Sequence, residues 1–426
     1  MLAIIITVVF IFGLAIGVPI SLALGVPTVV YFVWQDIPIQ MIVQRIFAGI
    51  NNFTLLAIPF FMFAGRIMNE GDLTRRIVDF SKAITGAVRG GLAIVNIIAS
   101  MLFAGISGAA TADVASIGAV LIPAMKKEGY SSEYSVAITS MSSIIGPIIP
   151  PSVVFILYGV LSGTSIIGLF MAGIIPGIIL GLAQMVIVYL EGKKLRFPKG
   201  DPTSWAFFRK SLISSGLAMF LPFIIIGGML GGVFTATEAG AVASFYALIL
   251  ALVIYRKLKL NKLWDVLTGT ALDTANVMVI VGTSTIFAWM LTSEEIPQKT
   301  GTILLSITDN PYLILLMINA LLLFIGTFMD NFPAMIITIP VLLPIIKDLG
   351  VHPLHFGVIM TVNLMIGTVT PPVGMVIYLA SAIGKTSVEK SAFAMKWLLL
   401  VSIGILLLVT YVPAISMFIP RLVGFK

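Results

Sequence analysis

Residues 102–151 read LFAGISGAATADVASIGAVLIPAMKKEGYSSEYSVAITSMSSIIGPIIPP, and residues 323–372 read LFIGTFMDNFPAMIITIPVLLPIIKDLGVHPLHFGVIMTVNLMIGTVTPP. The two stretches align without a gap at an offset of 221, and thirteen of the fifty positions are identical. Shared Leu and Ile mean little in apolar sequence. Aligned Gly105/Gly326, Pro123/Pro344, Gly129/Gly350, Gly146/Gly367, Pro150/Pro371 and Pro151/Pro372 mean more, because each fixes a special backbone geometry. A weaker match pairs Gly17-Val18, Gly25 and Tyr31 with Gly232-Val233, Gly240 and Tyr246. The chain is therefore built from two related halves.

The surrounding composition says where those halves sit. Of 426 residues, 59% are apolar and 10% charged, and mean hydropathy is +1.12. A soluble domain is about 25% charged, so the chain reads as an all-α polytopic membrane protein. The net charge of +7 does not indicate a nucleic-acid partner, because Lys and Arg cluster in short stretches between apolar runs. There is no cysteine, which removes disulfides, thiol catalysis and Cys-ligated metals. His352 and His355 alone do not make a metal set, and no phosphate loop or nucleophile–base pair is visible, so no enzyme and no cofactor is expected. The apolar run from Met1 to Gly17 lacks a basic start and a cleavage site, and reads as mature membrane structure.

Apolar segments fall at 2–34, 46–69, 90–125, 131–161, 165–190, 211–232, 236–256, 267–291, 305–346, 353–380 and 392–420. The basic loops 70–89, 191–210 and 256–264 are expected inside, and the acidic loop 292–304 outside, with both termini outside. The loops preceding the two repeats thus lie on opposite faces, which predicts inverted repeats. Inversion needs an odd number of crossings per half. The second half gives five. The first gives five only if 2–34 crosses twice, broken near Gly17-Val18-Pro19, and one long tilted helix is the competing reading.

Segments 90–125 and 305–346 are too long for one helix and carry Gly and polar residues at their centres. Each reads as a re-entrant hairpin, and each precedes a span broken by Pro-Pro. A break at mid-membrane is tolerated where it lines a cavity. The carbonyls it frees, with Ser and Thr hydroxyls, are oxygen ligands suited to dehydrated Na⁺. The second hairpin arms start at the centre with their positive dipole ends, which favours an anionic substrate. Thr111, and Asn331 or Asp330, are the expected N-caps, with Pro333 in a first turn. Asp330 is the intramembrane carboxylate to watch, with capping as its alternative role. Glu238 and Asp273 read as residues of helix junctions.

These motifs, LFAGISGAATADVASIGAVLIPAM with GPIIPPS and GTFMDNFPAM with GTVTPPVG, resemble the large membrane subunit of tripartite ATP-independent periplasmic (TRAP) transporters over essentially the whole chain. The resemblance implies Na⁺-driven uptake of an organic acid across the bacterial inner membrane by an elevator mechanism. It also implies a small four-helix membrane subunit, expected as a separate chain because this one opens directly at Met1, and a periplasmic substrate-binding protein. Carried over position by position, it places sodium at Ser107, Gly108, Gly146, Ile148, Pro150, Thr327, Asp330, Gly367, Thr370 and Pro371. Substrate is expected at Ser107, Thr111, Asp330 and Asn331. The expected division is scaffold at 1–83, transport part at 84–190, cytoplasmic linker and scaffold at 191–304, and transport part at 305–426. A stand-alone sodium–dicarboxylate symporter or a gated channel is the alternative.

Overall fold

The computed structural model describes residues 6, 8–10, 12, 13, 16–200 and 202–425, with the side chains of 105–107 outside that description. Helix is the only regular secondary structure among the described residues, apart from one isolated bridge between Arg89 and Lys199. Among the described residues six helices are long and apolar enough to cross a membrane, or up to eight if two bent pairs each count as one span. The fold is all-α and polytopic.

The 221-residue offset of the sequence persists in the element boundaries. Gly91–Ser107 corresponds to Pro311–Phe328, and the run from Ala110 to Lys127 corresponds to Asn331–Asp348. Ser132 and Pro353 open the next helices, and Val153–Ser162 corresponds to Met375–Gly384. Local signals set these starts. Ser131, Ser152, Asn310 and His352 each accept a hydrogen bond from a backbone N–H of the first turn that would otherwise lack a partner.

Each hairpin leaves from and returns to one end of the molecule. At the mouth of the first, the Gly90 N–H donates to Pro198 O at 3.0 Å. At its exit the Tyr130 ring lies 5.0 Å from that of Phe197. At the mouth of the second, Tyr411 Oη donates to Tyr312 O at 2.9 Å. Just past its exit, His355 bonds Ser416 Oγ at 2.6 Å and the Thr410 carbonyl at 3.2 Å. Helix Lys396–Tyr411 joins the two regions. Lys396 shares a cavity with Arg196 and Phe197, and the helix ends at Tyr411, about 24 Å away at 1.5 Å per residue. The two hairpins therefore open at opposite ends.

Several segments differ from the sequence expectation. The stretch 46–69 is not one straight span. Helices Ile39–Ile50 and Phe53–Glu70 meet at 56°, because Asn52 turns its side chain onto Thr54 N and ends the first helix. The C-terminal stretch bends by 62° between Val388–Ala394 and Lys396–Tyr411, and helix Pro413–Leu422 follows, since Pro413 has no N–H to continue the ladder. The expected loop 70–89 contains the amphipathic helix Leu73–Thr85, and 292–304 is largely helix Ile296–Ile307. Near the N-terminus, Gly17 has φ +84° and Pro19 precedes helix Ile20–Trp34, so a break lies where the glycine and proline predict one. Residues 1–5, 7, 11, 14 and 15 are outside the described residues.

The Arg89–Lys199 bridge, with the Gly200 N–H donating to Val88 O at 3.0 Å, puts two of the basic loops on one face. That face is expected to be cytoplasmic. Gly200 itself is unsuited to a probe, because a Cβ there would run into the Gly86 carbonyl. Lys199 is exposed. In this Cys-free chain, Lys199→Cys should resist a membrane-impermeant maleimide in intact cells and react after permeabilisation. Labelling from outside would reverse the orientation.

Candidate functional site

The two hairpin tips form by different local chemistry. The first helix ends at Gly108, φ +60°, a left-handed position that glycine adopts without strain. Ala109 then extends and is the N-cap of the second arm, with no side-chain cap. Thr111 is therefore not the cap the sequence suggested. It lies inside the first turn. At the second tip Met329 extends and Asp330 is the N-cap, accepting the Asn331 N–H at 2.8 Å, with Pro333 in the first turn. Each tip docks just beyond a Pro-Pro pair. A Cβ on Gly108 would lie 3.1 Å from Val153 N, and the Gly374 N–H donates to Thr327 O at 3.0 Å.

Both spans after the hairpins break as the prolines require. Helix Ser132–Ser143 stops before Gly146, whereas Pro353–Val369 runs past Gly367 to Thr370. The peptide bonds Pro150-Pro151 and Pro371-Pro372 are cis. Ser152 Oγ closes the first break by donating to Pro147 O at 2.6 Å. The Thr327 and Thr370 hydroxyls donate within their own helices, to Phe324 O at 2.8 Å and Ile366 O at 2.7 Å, which leaves their oxygen lone pairs as acceptors. Asn331 and Asn363 are buried, and each has a side-chain Oδ1 without a hydrogen-bond partner among the described residues. A buried orphan oxygen needs a partner such as an ion or water. The Ile148 carbonyl faces helix Ile166–Lys194 at Gly173. Gly146 abuts buried Asp113, and Pro150 and Pro371 stand at the breaks.

Polar contacts hold each hairpin to its broken span. In the first half Asn96 Nδ2 donates to Thr139 Oγ1 at 2.7 Å and Ser142 Oγ donates to Asn96 Oδ1 at 2.9 Å. In the second, Asn363 Nδ2 donates to Asn319 Oδ1 at 2.8 Å. Asn363 stands 221 residues after Ser142. Buried hydrogen bonds of this kind favour one packing arrangement.

A cavity of 570 Å³ lies where the tips meet, lined by Ala109 and Thr111 of the first and by Asp330, Phe332 and Pro333 of the second. Thr111 and Asp330 thus line the same cavity. Asn331 and the Pro-Pro breaks are not in its lining, and the Ser107 side chain lies outside the described residues. The opposite wall was not anticipated. It comes from helices Ala57–Glu70 and Leu260–Ser293 and carries Arg66, Asn69, Asp273 and Asn276. Arg66 Nε donates to Asp273 Oδ2 at 2.9 Å, so Asp273 joins helices Ala57–Glu70 and Leu260–Ser293, as the junction reading expected, and lines the cavity besides. Glu238 also sits at a junction, in a capping box with Thr235. The sequence signal for the missed pair was present: a charge inside each of two apolar segments, 46–69 and 267–291.

Over residues 7–415 the sequence matches the family described as Tripartite ATP-independent periplasmic transporter, DctM component. It is 40% identical over 402 residues to the 2,3-diketo-L-gulonate TRAP transporter large permease protein YiaN of Escherichia coli, spanning 94% of this chain and 95% of that one. It is 39% identical over 407 residues to the sialic acid TRAP transporter large permease protein SiaM of Vibrio cholerae, spanning 95% of each. Among solved structures, the YdaH transporter of Alcanivorax borkumensis matches with a TM-score of 0.59 over 90% of this chain and 87% of that one, at 16% identity. That last likeness concerns the fold alone.

Proposed function

The chain belongs to the DctM component family of tripartite ATP-independent periplasmic transporters, a family of multi-pass inner-membrane permeases, and on that premise we propose that it imports a small organic anion driven by Na⁺. The observation that carries this reading is the convergence of two hairpin tips, opening at opposite ends of the molecule, on one cavity. A carboxylate or sugar acid binds there between the start of helix Asn331–Asp348, whose dipole is positive at that end, and the Thr111 side chain. One Na⁺ site lies at the first tip, among Ser107, Gly108 and the break from Gly146 through Ile148 to Pro150. The other lies at the second tip, among Thr327, Asp330, Gly367, Thr370 and Pro371. The orphan oxygens of Asn331 and Asn363 support the second site.

The two halves act as inverted repeats. The hairpins and broken spans at 84–190 and 305–426 move as an elevator against a scaffold from 1–83 and 191–304. A small membrane subunit enlarges that scaffold, and a periplasmic binding protein delivers the substrate. The stand-alone symporter is the other reading, and a requirement for partners separates the two.

Uptake should depend on Na⁺ with a Hill slope above one, because two sites of the same kind load together. Asp330→Ala should abolish or strongly reduce uptake while the protein remains folded. Uptake that ignores Na⁺ would overturn the proposal. Full Na⁺-driven uptake by Asp330→Ala would leave that residue a helix cap alone.

A further inference from the structure

The unanticipated wall of the cavity holds a cation. Arg66 and Asp273 come from helices 207 positions apart in sequence, and their side chains are 41% and 45% exposed. Two ionised groups held in membrane-spanning helices and facing a cavity are costly to retain and mark a function. The local sequence is shaped to seat the guanidinium. Gly269 lies one turn before Asp273 on the same helix face, and a Cβ there would sit 2.9 Å from Arg66 Cζ. In this position the guanidinium occupies the space that a side chain at 269 would take. Asp273 Oδ2 takes hydrogen bonds from Nε and Nη2. Among the described residues these are the only bonds Arg66 makes, so three of its five N–H groups remain for another acceptor. Asn69 and Asn276 flank the pair. The Asn69 carboxamide oxygen accepts from Thr74 Oγ1 at 3.1 Å, and its NH₂ group, like that of Asn276, is a donor for an anion.

We propose that Arg66 is the anion-recognising residue of this cavity, binding a carboxylate of the substrate on the free edge of its guanidinium, with Asp273 as a built-in competing anion that orients Arg66 and weakens the grip. This rests on the anion-uptake reading and adds its recognition group. A planar guanidinium matches a carboxylate in two parallel hydrogen bonds, which Lys cannot reproduce. The competing carboxylate prevents the cation from holding substrate too long for release. Arg66 lies in the scaffold part and the hairpin tips in the transport part, so the substrate bridges the two only while the tips stand at this level.

The test uses the purified full chain. Its thermal unfolding midpoint is followed against rising sodium salts of succinate, sialate and 2,3-diketo-L-gulonate, with sodium chloride at equal ionic strength as the reference. At least one acid should raise the midpoint of the wild type above chloride. Arg66→Gln should be blind to that acid, and Arg66→Lys should need about tenfold more of it. Asp273→Asn should respond at about tenfold lower concentration, because the competitor is gone. The double variant Arg66→Gln/Asp273→Asn, which leaves no unpaired charge, should fold and stay blind. If the pair merely ties two helices together, the double variant will respond as the wild type does, and the assignment is wrong. It is equally wrong if no acid shifts the wild type. Failure of the underlying transport reading looks different: the wild type then shows no Na⁺-driven uptake of any acid, whatever Arg66 does.

Discussion

Gly367→Leu should leave no folded, transport-competent protein, and Gly367→Ala should already unfold at clearly lower temperature than the wild type. Helices Pro311–Phe328 and Pro353–Val369 cross with their backbones in contact at Gly326 and Gly367. A Cβ on Gly367 would lie 2.6 Å from Gly326 Cα and 2.7 Å from its carbonyl carbon, and a Cβ on Gly326 would lie 3.1 Å from Gly367 Cα. Main chain cannot step aside as a flexible side chain can. Overpacking costs about 1–3 kcal/mol even where the surroundings adjust, and leucine adds a branched side chain to a contact that has no room for a methyl group. The matching Gly146 should tolerate alanine better, since its nearest neighbour is the side chain of Asp113 and not main chain. Gly404 is the control. It lies inside helix Lys396–Tyr411 with nothing within 4 Å of a Cβ, and Gly404→Ala should gain up to about 1 kcal/mol from helix propensity. Thermal unfolding by fluorescence-detected gel filtration reads all of these. A wild-type midpoint for Gly367→Ala would show that the contact is looser than drawn.

Gly367 also shows why so much of the architecture was legible in sequence. Glycine and proline act through the backbone, so a repeated Gly-to-Pro-Pro pattern predicts a break wherever it occurs, and the hairpins and broken spans stand at the expected places. Asp330 was legible as well, because a carboxylate in an apolar run is either a cap or a functional group, and here it caps a helix while facing a cavity. Less local features were hidden. Asn51 and Asn52 bend an apolar stretch that hydropathy alone reads as continuous. Thr111 has a capping side chain, yet Ala109 takes the cap position because the chain already turns at Gly108, three residues before Thr111. Arg66 and Asp273 are separated by 207 residues, and nothing periodic in either helix announces the other. Their pairing is a product of tertiary packing, and it supplies the cavity with a cation that neither hairpin tip contains.

The second large effect concerns partners. Arg66 is half-engaged by Asp273, and the helix start at Asp330 contributes about 0.3–2 kcal/mol to holding an anion. Such a site captures dilute substrate poorly. It suits a permease that receives substrate already concentrated by a protein docked on its outer face, with a small subunit widening the scaffold. Large apolar side chains on helices Ile39–Ile50 and Trp205–Leu230, among them Val43, Phe47, Phe220 and Phe223, are exposed in the chain alone, as a surface facing lipid or a membrane partner would be. The most direct measurement is uptake of an organic acid into liposomes under an inward Na⁺ gradient, with components omitted one at a time. The chain alone should show no uptake above background. The chain with the small subunit and the loaded binding protein should show uptake that collapses when the Na⁺ gradient is removed. Robust uptake by the chain alone would contradict the tripartite assignment and make it a stand-alone symporter.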